Sequence, residues 1–424
     1  MLRVRALGIS IGGVVFSIAF VAAVAVCLSG CRRQPAGPRV TIAVWGGAEE
    51  IDQFRSRVLA SVRRQMPNVS IEVIYIPRDY HVKLATLMAA GQPPDLFYLS
   101  DEYVPQYAEL GALLDLTRWI EGDDDPAVDL SDYYPSIVSN YRWEGGLYGL
   151  PWIAQPVVLF CNEQLFTEAG VELPDGQWRW AEFVEAGKRL TRDLDGDGLP
   201  DRWGFVINGW PPFEMFVWQN GGDTLSADGK HVRLLDPKCV GAAQFYADLI
   251  GEYQIAPPLD VVTEQGFSEL FRAGKVAMFM GGAADELDSV PGLKVSVREV
   301  PAGADGSRAT FVWNAGLCIS RGTADKELAY RTWKLFLDAI QHWKIPAPRR
   351  SLAARLETIE PRKARAAEVI RTSMTYMRPF RVIARQRQWD TIMAEEFEEP
   401  LLRGAADART LARQASTELQ MLLR

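Results

Sequence analysis

The chain has 424 residues, 48% of them hydrophobic and 24% charged, with a formal net charge of −8. That balance is the one expected of a globular protein, and its acidic sign argues against a nucleic-acid binder, which would present basic surface. The five cysteines show no zinc-site spacing, which excludes a cysteine-based metal fold.

Arg3 and Arg5 precede an apolar stretch from Ala6 to about Cys27, which closes in Leu28-Ser29-Gly30-Cys31. Charge first, apolar core second and small residues last is the layout of a secretory signal. Residues 28–31 match the bacterial lipobox, in which Cys31 is lipidated through its thiol and becomes the mature N-terminus. An uncleaved membrane helix is the other reading, since the stretch is nearly long enough to span. Such an anchor has no need of Ser-Gly-Cys at its end. Residues 1–30 are therefore expected to be a lipoprotein signal peptide and 31–39 a polar tether. The mature protein is expected to be exported and held at the membrane by lipid, facing outside or the periplasm.

About 390 residues remain, too many for one ordinary core and suited to two domains. Val40 to Trp45 reads as a β-branched strand closed by Gly46-Gly47. Ile51, Phe54, Val58, Leu59 and Val62 recur at helical spacing between Glu49 and Arg64. Ile71–Ile76 is a second strand, Val82–Met88 a helix stopping at Gly91, Pro94–Leu99 a third strand, and Val104–Leu114 a helix. Strand alternating with helix predicts an α/β protein with a parallel sheet. Ligands of such sheets bind at the carboxyl ends of strands, where Trp45-Gly46 and Asp101-Glu102 fall.

Beyond the acidic, proline-containing loop 121–126, the segment Gly145 to Trp152 reads as a crossing between lobes, with a new element starting at Val157–Cys161. Helices are expected at Trp180–Leu190, Val240–Tyr253 and Phe267–Ala273, and strands at Lys275–Met280 and Phe311–Ser320. From Ala324 onward the periodicity is almost wholly helical, and there are no internal repeats. Cys161, Cys239 and Cys318 read as buried free thiols, with a Cys161–Cys318 bridge as the alternative.

The order of motifs resembles the family 1 extracellular solute-binding proteins of ABC importers, the group that includes maltose-binding protein. The matching pieces are Trp45 after the first strand, Gly91-Gln92-Pro93-Pro94-Asp95, Gly111 to Leu116, Gly149-Leu150-Pro151 and Phe160-Cys161-Asn162. They continue with Asp193 to Phe205, Gly221-Gly222-Asp223, Gly274 to Met278 and Leu402-Arg403-Gly404. The resemblance implies a two-lobed periplasmic-binding-protein fold of class II type, with a ligand cleft and a helical C-terminal part. Lobe 1 would comprise 40–150 plus about 304–345, and lobe 2 about 151–303 plus about 346–424. It also implies a monomer that captures a carbohydrate by lobe closure and hands it to membrane permease subunits, with no catalysis and no required cofactor.

Sugars present C–H faces and hydroxyl edges, so a site for them needs flat aromatic walls and convergent polar groups. Thirteen tryptophans are available, and Trp45, Trp152, Trp210 and Trp313 fall beside turns or crossings. By position these resemble the family's cleft segments, as do Gly46, Asp101, Glu102, Gln155, Tyr376, Arg378 and Trp389. Core packing is the other reading of each tryptophan, and a helix cap the other reading of Asp101. One departure is plain: Gly281-Gly282-Ala283-Ala284 stands where the family often has Gly-x-Trp. Asp193, Asp195, Asp197 and Asp201, with Gly198 inside the run, mimic a calcium loop, although Gly204 stands where its bidentate Glu would be. A plain acidic turn is the alternative. The basic stretch from Arg349 to Arg387 reads as solvated helix faces, or as a surface for an acidic sugar or the permease. A secreted carbohydrate-active enzyme and a same-fold binder for a non-sugar solute or for sensing are the rival functions. No nucleophile elbow, zincin motif or P-loop supports the former.

Overall fold

The computed structural model describes residues 37–423, so the export segment and Cys31 lie outside the described residues. Eleven strands form among the described residues: β1 (Arg39–Val44), β2 (Ser70–Tyr75), β3 (Leu96–Ser100), β4 (Arg142–Trp143), β5 (Gly146–Leu147), β6 (Gly149–Asn162), β7 (Trp203–Val206), β8 (Val276–Gly282), β9 (Val295–Arg298), β10 (Thr310–Ile319) and β11 (Met377–Arg378). Nine of them join one sheet in the order β2-β1-β3-β10-β6-β8-β7, with β9 added on β6 and β11 on β10.

The sequence predicts parallel pairing, and β1 runs parallel to both β2 and β3. The sheet is nevertheless mixed, because β10 runs antiparallel to both β3 and β6. The reason lies in connectivity: β10 returns from a distant part of the chain and closes the edge that the β1–β3 unit leaves open. All five residues of β3 and all seven of β8 are buried, as expected where both sheet faces are covered.

The segment read as a crossing followed by a new element is one continuous strand. β6 runs fourteen residues, pairing with β10 near its start and with β8 and β9 near its end. Its side chains alternate between cores with the period of two that pleating imposes: Val157, Leu159 and Cys161 enter one cluster, Val158 and Phe160 another. Three apolar clusters result. One packs β1, β3 and the helix Lys326–Gln341 through Ile42, Phe97, Trp333 and Phe336. A second gathers Phe183, Phe205, Phe216 and the C-terminal helices through Phe397 and Leu419. The third lies on the opposite face of β6 and β8, around Phe279, Ile370 and Met374. Each fully buried Phe contributes roughly 1.5–3 kcal/mol by leaving water, so every cluster is stabilising in its own right. The clusters part company within β6 and β10, and Trp313 packs against both large ones at that waist.

The register of β6 on β10 shifts between Ala315 and Gly316. There the Tyr141 ring lies so near the backbone that a Cβ on Gly316 would be 2.2 Å from it, so only glycine fits. The helix expected over Val104–Leu114 ends early, at Glu109. Cys161, Cys239 and Cys318 are buried free thiols, with no bridge between Cys161 and Cys318. Among the described residues, no helix is long and apolar enough to cross a membrane.

Candidate ligand-binding site

The site is built from strand ends at the waist. β1 delivers Trp45, which remains half-exposed while a scaffold of rings holds it. Tyr80 and Tyr98 meet it edge-on at 4.8 and 5.1 Å, and Trp152 lies tilted at 6.0 Å. Aromatic pairs of this geometry fix a ring in place. Gly46 follows with φ +151°, and its carbonyl accepts a hydrogen bond from the Tyr75 hydroxyl at 2.9 Å.

β3 delivers Asp101, 4% exposed, whose Oδ2 accepts from Asn140 Nδ2 at 2.6 Å and from Asn314 Nδ2 at 2.7 Å. Burial pushes the Asp101 carboxyl above its usual range. Glu102 is raised as well, by burial first and then by the charge of Asp101. One proton shared between adjacent carboxyls is the physical consequence.

The paired hinge strands supply Gln155 and Trp313, which face one another in register. Gln155 Oε1 accepts from the Ala284 amide at 3.3 Å. A Cβ on Gly282 would meet that same oxygen at 2.4 Å, and Ala283 is 1% exposed. The place where the family resemblance leads one to expect an aromatic is therefore filled by Gln155 and by apolar packing. From the far lobe comes Trp210, half-buried, with Phe311 edge-on at 5.0 Å and its Nε1 without a partner among the described residues.

Four expected residues fall elsewhere. Trp152 is 2% exposed and donates from Nε1 to the Gly316 carbonyl at 3.1 Å, so it props Trp45 and offers no face. Trp389 is 3% exposed inside the second-lobe core. The Tyr376 hydroxyl donates to Glu299 at 2.8 Å beneath the Arg308 guanidinium. Arg378 pairs with Asp223 at 3.2 Å and covers the Trp218 ring.

Residues missing from the expectation are Asn140, Asn314 and His81. A polar Asn314 within an otherwise apolar strand was a usable signal, because a buried amide needs a specific partner. His81 stacks on Tyr103 at 3.8 Å, and burial with the nearby Arg387 lowers it to about 4, so it is neutral near pH 7. Two hollows flank the waist. One of about 790 Å³ is lined by His81, Tyr103, Tyr107 and Arg387, and one of about 620 Å³ by Glu102, Gln106 and Arg387. Neither wall includes Trp45, Trp210 or Trp313.

In the acidic turn, carboxylate oxygens of Asp193, Asp195 and Asp197 lie within 4.8 Å of one another, all exposed. Ligand oxygens at 2.3–2.6 Å from a shared calcium span up to about 5 Å, so these three fit such an ion. Asp201 does not join them. Its Oδ2 accepts from the Leu194 and Asp195 amides at 2.6 and 3.2 Å.

A two-lobed α/β fold with hinge strands running through both cores and polar and aromatic groups at the waist defines a solute-binding protein. Residues 53–338 match the family model of bacterial extracellular solute-binding proteins, and the chain belongs to that family. Its family is one of exported binding proteins. It is 23% identical over 304 residues to a putative binding protein of Brucella abortus, covering 69% of this chain and 70% of that one. It is 27% identical over 266 residues to a diacetylchitobiose binding protein of Streptomyces coelicolor, covering 60% of this chain and 59% of the relative. In fold it is similar to an ABC substrate-binding protein from Listeria monocytogenes in complex with cycloalternan, with a TM-score of 0.78, 24% identity, and coverage of 91% of this chain and 99% of that one.

Proposed function

We propose that this protein is the substrate-binding lipoprotein of an ABC importer, capturing a carbohydrate by lobe closure and presenting it to the membrane permease as a monomer. One observation carries the reading. Trp45 packs on Trp152 of β6 and Trp210 on Phe311 of β10, both rings keep part of their surface exposed, and β10 also carries Asn314 of the buried polar centre with Asp101 and Asn140. Flat rings suit the C–H faces of a sugar, and the amide and carboxyl groups suit its hydroxyls. The relatives named for diacetylchitobiose and cycloalternan support the same ligand class.

Closure follows from the hinge. A ligand touching both lobes favours the closed state by its differential affinity, and that state signals occupancy to the permease. Lipid on Cys31 would hold the protein at the membrane, and calcium at Asp193, Asp195 and Asp197 would tie down the acidic turn.

A thermal-shift screen of mono- and oligosaccharides, followed by calorimetry on the hits, tests the reading. A sugar that raises the melting temperature in a concentration-dependent way is the expected result. Failure of every sugar, with an amino acid, peptide or polyamine raising it instead, would overturn the ligand class.

A further inference from the structure

The waist carries more acid than a neutral sugar requires. Asp101 and Glu102 stand at the end of β3, and from the second lobe the field of Asp390 raises the Glu102 carboxyl further. Asp390 sits on the helix Gln386–Ile392, where Gln386 Nε2 donates to it at 2.8 Å. Glu214, 6% exposed, and Glu398 are each raised by burial first, and the field of Asp390 adds to both. The two lobes are tied at this point, since Asn140 Nδ2 also donates to the Phe380 carbonyl at 3.0 Å.

Nearby cations do not balance this charge. Arg378 and Arg381 both pair with Asp223. Arg387 acts on Asp390 through its field with no ion pair between them among the described residues, and Asp390 itself is exposed. His81 is neutral, and Tyr103 and Tyr141 hold their protons.

A second observation is independent of charge. Asn314 is 0% exposed, and while its Nδ2 donates to Asp101, its Oδ1 has no partner among the described residues. The Tyr141 hydroxyl, also 0% exposed and within the field of Asp101, has none either. Buried polar atoms are normally paired, so an orphaned acceptor beside a carboxylate marks a centre that lacks a donor. A hydroxyl supplies one donor and no charge, whereas an ammonium supplies three donors and a full positive charge.

We propose that the cleft receives an amine-bearing carbohydrate, its ammonium group held by Asp101, Glu102 and Asp390 with Asn314 Oδ1 as the neutral acceptor. This rests on the carbohydrate reading of the cleft. In the empty cleft burial and the charge of Asp101 keep a proton on Glu102. The ammonium replaces it, and the displaced proton passes to the buffer.

The test uses pairs that differ only by amine for hydroxyl at C2: glucose with glucosamine, galactose with galactosamine, and cellobiose with chitobiose, which carries the change on both rings. Calorimetry near pH 7 should find the amino member of at least one pair bound about tenfold or more tightly than its neutral partner. Repeating the titration in buffers of different ionisation heat should show net proton release. Asp390→Asn should shrink the preference, with a melt confirming that the variant is folded, and the wild-type pairs decide the matter if it is not. Binding of neutral sugars alone, or equally with their amino partners, overturns this inference and leaves the carbohydrate reading standing. Binding of no carbohydrate at all overturns both.

Discussion

Asn314 and Asp101 join the hinge to the first lobe: Asn314 Nδ2 donates to Asp101 Oδ2 at 2.7 Å, with both residues buried. The amide comes from β10, which passes through both lobes, and the carboxyl from the end of β3. Any movement of the hinge therefore acts on the polar centre directly. Asn314→Ala should cost about 1.5–3 kcal/mol, the range for a hydrogen bond to a charged group, read as a lower urea midpoint with an unchanged slope. An unchanged midpoint would show that the contact carries no stability.

The same centre sets a pH dependence. Glu102 is raised in the folded state by burial and by Asp101, so the native protein holds its proton longer than the unfolded chain does. Stability from that proton is fully present below the unfolded carboxylate pKa and is lost as pH rises through the raised folded value. Glu102→Gln removes the term. Relative to wild type, the variant should gain melting temperature on going from about pH 5 to about pH 8. A constant difference between the two proteins across that interval contradicts the raised proton affinity.

Trp45 and Trp152 touch one another yet should respond in opposite ways. Trp152 is 2% exposed and hydrogen-bonded to Gly316, so Trp152→Ala should cost about 3–5 kcal/mol as a large-to-small core change. Trp45 retains a free face, so Trp45→Ala should weaken sugar binding about tenfold or more while moving stability far less. Trp210→Ala should behave like Trp45→Ala. Calorimetry on folded variants checks both, and equal affinity for all three proteins would remove the aromatic walls from the site.

That contrast also explains what the sequence could convey. The strands at Val40–Trp45, Ile71–Ile76, Pro94–Leu99 and Lys275–Met280 were legible because apolar runs bounded by glycine and proline state their own ends. The lobes were legible because weak motifs arrived in a fixed order. The direction of a tryptophan beside a hinge was not, since β6 is covered on both faces and neither face reads as solvent. Trp389 was avoidable: Trp389, Met393, Phe397 and Leu401 recur every four residues, which is a buried helical stripe. Arg378 and Asp223 meet across 155 residues, and no local pattern announces such a pair.

Cys31 should control where the protein resides. Acyl chains contribute about 0.8 kcal/mol per buried methylene, so several on one cysteine hold a protein firmly. Cys31→Ser leaves export intact but removes the thiol that accepts lipid. The variant should move from the membrane pellet to the soluble fraction on fractionation of cells, and retention in the pellet would point to an uncleaved helix instead.

The acidic turn makes the last claim. Asp193 accepts from the Gly196 and Gly198 amides, Asp195 from Asp197, and Asp197 from Leu199, all between 2.7 and 3.1 Å. These bonds shape the turn and still leave three carboxylates converging with no cation paired to them among the described residues. Calcium should neutralise that repulsion and raise the melting temperature relative to EDTA; at a hundred times Kd the gain is about 2.7 kcal/mol. Asp195→Asn keeps a carbonyl to accept the Asp197 amide but loses the charge, so it should hold the turn and abolish the calcium response. Identical melts of wild type in calcium and in EDTA would leave a self-capped turn, in which the backbone amides alone answer the carboxylates.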